Sequence, residues 1–93
     1  MNIRRLVLDV DKAIARPSIV EIARAIDAVP NVEAVNITVT EIDMETVGME
    51  ITIEGNVLDY EKIAEAIATS GAVVHSIDEL VTGHVIERVP RSR

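Results

Sequence analysis

The residues in this chain that could do chemistry are mostly carboxylates. Glu41, Asp43 and Glu45 alternate along one short run, Glu50 and Glu54 follow within ten positions, and Asp9, Asp11, Asp78 and Glu79 stand elsewhere. Oxygen donors of this kind suit a hard divalent cation such as calcium or magnesium. Glu41, Asp43, Glu45, Asp78 and Glu79 are the candidate ligands, most sharply if the ion is shared between subunits. The spacing matches no EF-hand loop, and a solvated acidic hairpin, the commoner arrangement, accounts for the same residues without any ligand. The fold therefore requires no cofactor.

A second candidate is the polar stretch His75-Ser76-Ile77-Asp78-Glu79, which interrupts an otherwise apolar, β-prone segment. With Asp9 it makes Asp9, His75 and Ser76 a possible site in the sense that perturbed titratable groups gather in clefts. A histidine in such a strand is more often a satisfied structural residue. His75 and His84 lack the spacing and companion ligands zinc needs, and no Ser-His-Asp arrangement is readable. The four glycines, at 48, 55, 71 and 83, are scattered singly, so no phosphate-cradling loop is present. No catalytic residue can be nominated, and the chain is expected not to be an enzyme.

The elements that position these residues follow from periodicity. Ile3 to Val10 alternates, with Leu6, Leu8 and Val10 on one face and Arg5, Val7 and Asp9 on the other, which predicts a strand. After a linker over 11–17, Ser18 and Glu21 have capping-box spacing, and Ile19, Ile22, Ala23 and Ile26 recur as a helical stripe that Pro30 ends. Val35, Ile37 and Val39 alternate with polar residues, as do Met49, Ile51 and Ile53, and a turn is expected over 45–48. Asp59 caps a second helix carrying Tyr60, Ile63, Ala64 and Ile67, and Gly71 stands where a left-handed residue is wanted. The run from Ala72 to Val81 is β-prone but imperfectly periodic, so its inward face stays open between Val74 with Ser76 and Val73 with Ile77.

The order β-α-β-β-α-β with two right-handed crossovers predicts an α+β ferredoxin-like sandwich, a four-stranded antiparallel sheet with both helices on one face. One domain spans 1–93, with 83–93 as a C-terminal extension. Within it, 84–89 is a short β-prone piece that could pair with its own sheet edge or a neighbour's, and the last residues are expected to fray. The opposite sheet face is expected to be bare, showing Arg5, Val7, Asp9, Asn36, Thr38, Thr40, Ile42, Glu50, Thr52 and Glu54.

Composition narrows the function classes. The 93 residues carry a net charge of −7 and one aromatic, Tyr60. A chain this short buries roughly two-thirds of its unfolded surface, and an aliphatic core gains less per residue than an aromatic one. Further burial between copies is expected, making the protein its own partner. Residues 41–79 hold ten acids against Lys62 alone, whereas 80–93 hold Glu87 against Arg88, Arg91 and Arg93. The acidic body repels phosphate backbones, and the bare face lacks stacking aromatics, so nucleic-acid binding is disfavoured. With no cysteine, disulfides, thiolate metal sites and cysteine nucleophiles are excluded. The first ten residues are too short for a signal peptide or membrane span. A soluble cytoplasmic protein is expected, with no membrane partner and no small-molecule ligand indicated.

Three segments, Val35-Asn36-Ile37-Thr38 through Glu41-Ile42-Asp43, then Ile51-Thr52-Ile53-Glu54-Gly55-Asn56, and His75-Ser76-Ile77-Asp78-Glu79, together resemble the archaeal domain of unknown function 211 family over nearly the whole chain. The resemblance implies a ferredoxin-like protomer that assembles into rings or other homo-oligomers, with no assigned activity and no functional residues to carry over. It departs from the family at Gly71-Ala72, where a glycine pair is usual. A looser similarity, through Ala15-Arg16-Pro17-Ser18-Ile19 and the segment from Asn31 to Ile37, is to ACT-type amino-acid-sensing domains. That alternative predicts a small-molecule site after the first strand, although 10–18 contains no glycine to let backbone approach a ligand.

Overall fold

Leu6, Leu8 and Val10 are fully buried, and they stand in the strand that the rest of the molecule is built around. The computed structural model describes residues 1–84. Its element order is β1 (Ile3–Ala13), α1 (Ile19–Asp27), β2 (Val32–Ile42), β3 (Thr46–Gly55), α2 (Tyr60–Ser70) and β4 (Val73–Thr82). The sheet order is β2-β3-β1-β4 with every neighbouring pair antiparallel, the arrangement of the ferredoxin-like fold. The expected architecture is the one observed.

The local signals explain the elements. Ser18 Oγ accepts the Glu21 N–H at 3.1 Å and Glu21 Oε1 accepts the Ser18 N–H at 2.7 Å, which closes the capping box and starts α1. That backbone hydrogen bond holds the Glu21 carboxyl below the usual carboxylate range. Asp59 caps α2 by accepting the Lys62 N–H, and Gly71 closes the helix at φ 107°, in the left-handed region. Ile22 and Ile26 of α1 and Ile63 and Ile67 of α2 are fully buried in one core cluster with Met49, Ile51 and Ile53 of β3. Each such side chain contributes about 1.5–3 kcal/mol by leaving water.

Several boundaries differ from expectation. β1 runs on to Ala13 because Asp11, Lys12 and Ala13 keep pairing with Gly48, Val47 and Thr46, so the connection to α1 shrinks to 14–18. Lys12 shares the parity of the core residues and is nonetheless buried. Its stem lies on the helix side while Nζ donates to the Ala13 and Ile14 carbonyls at 3.0 and 3.2 Å. The hairpin turn is 43–45, not 45–48, and Gly48 lies inside β3. Asp43 makes the tighter turn possible: Oδ1 accepts the Met44 N–H at 2.7 Å while the Asp43 N–H donates to the Thr46 carbonyl at 2.8 Å.

The irregular periodicity of the last strand has a definite cause. Glu79 partners Val7 and Ile77 partners Leu8, leaving Asp78 over; Ser76 partners Asp9 and Val74 partners Val10, leaving His75 over. Asp78 and His75 are thus the extra residues of two β-bulges. Each insertion restores the parity lost to the other, and Val74, Ile77 and Leu80 all come to the helix-bearing side opposite Val10, Leu8 and Leu6. A register shift between Val39 and Glu41 does the same in β2 and places Ile42 opposite Val47. Ile42 therefore belongs to the helix-bearing side and not to the bare face, and at the end of an edge strand it is 73% exposed.

Candidate functional site

Cross-strand pairing arranges the helix-free face in rows. Ala34, Glu54, Arg5 and Val81 form one; Asn36, Thr52, Val7 and Glu79 the next; Thr38, Glu50, Asp9 and Ser76 the third; and Gly48, Asp11 and Val73 continue beyond it. Arg5 links the first two rows, its Nε 3.0 Å from Glu79 Oε1 and its Nη1 3.5 Å from Glu54 Oε2. Pairs this exposed contribute about 0.2–1 kcal/mol. Val7, flanked by Thr52 and Glu79, is only 7% exposed although no helix covers it. In the third row Asp9 and Glu50 face each other directly, a like-charge pairing that weakens a sheet by itself.

Of the candidate residues, Asp9 and Ser76 are brought together as cross-strand partners, and Ser76 Oγ donates to Asp78 Oδ1 at 2.7 Å. His75 is exposed at its bulge. The five candidate cation ligands divide into two groups. Glu41 is the penultimate residue of β2, and Asp43 and Glu45 occupy the turn, with Asp43 Oδ1 already engaged by the Met44 N–H. Asp78 and Glu79 are on β4, at the opposite edge, with Glu79 against Arg5. Two strands lie between the groups, roughly 14 Å at the usual inter-strand spacing. Among the described residues no three His, Asp or Glu side chains gather into a group able to hold a metal. A single chain does not assemble the five acids into one site.

The rows built on Arg5, Glu50 and Glu54 are the part of this surface that single-residue inspection misses. Alternation within β1 and β3 signals that these side chains share a face, but their adjacency depends on registers set between segments more than forty positions apart. The segment after β1, where the sensing alternative places a ligand, is short, and its buried Pro17 packs beside Gly71. Concavities among the described residues include a groove between α1 and α2, lined by Ala25, Ala28 and Ala66 among others, and one at the start of α2 lined by Ile3, Leu58, Tyr60, Ile77 and Leu80. No helix among the described residues is long and apolar enough to cross a membrane.

This one-sided, four-stranded architecture defines a small ferredoxin-like domain. The profile of the uncharacterised ArCR family, domain of unknown function 211, matches residues 4–93. The chain is also similar to the uncharacterised protein MJ0319 of Methanocaldococcus jannaschii, with 47% identity over 95 aligned positions covering 99% of this chain and 97% of that one. The chain belongs to the domain of unknown function 211 family.

Proposed function

We propose that this protein is a non-catalytic assembly module whose copies join through the free edges of their sheets. The observation that carries the reading is the state of those edges. β2 and β4 are both outermost strands, 11 and 10 residues long, and neither is covered on its outer side by another described strand. Long open edges template pairing with another chain unless they are blunted. Both also display aliphatics on the helix-bearing side: Val39 and Ile42 are 41% and 73% exposed on β2, and Ile77 and Leu80 are 44% and 46% exposed on β4. Joining one copy's β2 to the next copy's β4 would continue an antiparallel sheet and remove those side chains from water.

A head-to-tail contact of this kind is heterologous and generates a ring when the rotation closes. It also gives the divided acid set a common location, because Glu41 and Asp43 at one edge and Asp78 at the other then flank the same contact. Calcium or magnesium there would lower the repulsion between them. The test is light-scattering mass on a sizing column, with chelator and then with millimolar calcium. A large mass that drops with chelator supports both parts, a large mass indifferent to calcium retains the assembly and removes the cation, and a monomer overturns the reading.

A further inference from the structure

The two free edges of the sheet carry the same irregularity. Val39 partners Met49 and Glu41 partners Gly48, which leaves Thr40 over, so Val39 and Ile42 stand three apart on the helix-bearing side of β2. On β4 the extra residue Asp78 sets Ile77 and Leu80 three apart on the same side. These four are also the aliphatics that the fold leaves uncovered at each edge. Val35, Ile37 and Val74 pack against the core of their own chain, whereas Val39, Ile42, Ile77 and Leu80 are exposed.

Edge pairing between copies does not by itself fix a register. Within one copy Val35, Ile53, Leu6 and Leu80 form one row, and Ile37, Ile51, Leu8 and Ile77 the next. Rows continued straight across the joint would set Val35 of one copy opposite Leu80 of its neighbour and Ile37 opposite Ile77. A spacing of two then meets a spacing of three, and the Asp78 bulge is repeated in the joint. Val39 falls against Val74, which is already partly buried, and Ile42 overhangs, being level with Lys12, beyond the Asp11-Val73 pair.

We infer that copies join four residues out of step, with Val39 of one copy opposite Leu80 of its neighbour and Ile42 opposite Ile77. Equal spacings then meet, and 39–42 pairs with 77–80 without a bulge. All four exposed aliphatics are covered together, beside the concavity that Ile77 and Leu80 line with Ile3, Leu58 and Tyr60. The offset, about 13 Å at every joint, also suits a ring, because a sheet closes on itself only with tilted strands and a staggered register. A flush joint supplies no stagger. The offset sets Glu41 opposite Asp78, a like-charge pair that weakens the contact. One exposed pair of this kind counts for less than four aliphatics leaving water.

This register presupposes edge pairing, and the two are tested separately. The chain has no native cysteine, so introduced pairs report the register directly. Directly opposed residues have Cα atoms about 4.5–5.5 Å apart, within disulfide reach, and a four-residue slip moves them about 13 Å away. Full-length Val39→Cys/Leu80→Cys, oxidised with diamide, is expected to give a ladder of covalent multimers on a non-reducing gel. Ile42→Cys/Ile77→Cys repeats the test at a second pair of exposed positions with the same expected result, and Val35→Cys/Leu80→Cys is expected to give no ladder. β2 and β4 are opposite edges of one sheet, so each ladder step joins two copies. A ladder from Val35→Cys/Leu80→Cys alone overturns the register and leaves edge pairing standing, and ladders from all three pairs overturn a fixed register. No ladder from any pair, with a large light-scattering mass, overturns the register and places the contact away from these edges. A monomeric mass overturns edge pairing and the register with it.

Discussion

At Gly55 a Cβ would lie 2.1 Å from the Asn31 carbonyl oxygen and 2.7 Å from Leu58 Cδ2, so the end of β3 passes the start of β2 too closely for any side chain. Because the first obstacle is backbone, it cannot rotate away. Gly55→Ala is expected to destabilise by about 3 kcal/mol or more, the upper end of overpacking costs. Gly48, where the nearest atom to an added Cβ is 3.5 Å away, is the control, and Gly48→Ala is expected to change stability by no more than about 0.5 kcal/mol. Urea midpoints of the two variants check both statements.

The capping box makes a residue-scale prediction with a pH sign. The Glu21 carboxyl titrates below its ordinary value because the Ser18 N–H binds the ionised form. Its contribution is therefore fully present above the ordinary glutamate range and is lost as pH falls through the lowered folded value. The difference in urea midpoint between wild type and Glu21→Gln is expected at neutral pH and should vanish in strong acid. Ser18→Ala, which removes the other half of the box, is expected to cost about 1 kcal/mol, a fall in Tm of roughly 4–8 °C for a domain of this size. Ser18, Glu21, Asp59 and Gly71 were legible in sequence because capping is local chemistry, decided within four residues. Gly55 was not, since the atom that excludes its side chain belongs to a residue twenty-four positions earlier.

Elements were legible wherever periodicity was unbroken. Leu6, Leu8 and Val10, and Met49, Ile51 and Ile53, read as strand faces and are fully buried as such. β4 resisted because two inserted residues each advance its phase by one, leaving Val74, Ile77 and Leu80 spaced by three, a pattern no regular strand shows. Removing the insertions restores alternation in the sequence itself, with Ser76 and Glu79 outward between Val74, Ile77 and Leu80. Deletion of His75 or of Asp78 is therefore expected to leave a cooperatively folded protein. Deletion of Thr52, from a stretch of β3 in unbroken register with β1, turns half a strand inside out and is expected to abolish folding. Circular dichroism melts of the three deletions distinguish a bulged strand from one whose irregularity has no structural logic. The same bulges set Ser76 beside Asp9 and Asp78 within reach of Ser76 Oγ, so the candidate site at this edge depends on them.

For the whole molecule, the strand order followed from the right-handedness of two crossovers, and family membership agrees with the three segments that suggested it. The layout of the acidic surface did not follow, because neighbours in a row come from three or four separate segments. The thinness of the body, 17 Å against 40 and 35 Å, reflects a two-layer structure with one sheet face free of helix. Assembly belongs to this scale. Val39→Lys with Ile42→Lys places charge on exposed positions of the β2 edge and is expected to lower the light-scattering mass while leaving the melting transition cooperative. An unchanged mass would count against the proposed pairing through the β2 edge.

The central position of β1 bears on how the protein is made. Ile3, at the start of β1, pairs with Thr82 at the end of β4, and β1 has no other neighbour on that side. An emerging chain can form α1 and the β2-β3 hairpin early, but one flank of β1 stays open until β4 has been made. Folding of so non-local a sheet is correspondingly slow and exposed to mispairing. Growing chains halted before β4 would hold Leu6, Leu8 and Val10 beside an unfilled edge, which makes them natural clients for chaperones and substrates for proteases, while the arrival of β4 closes that gap.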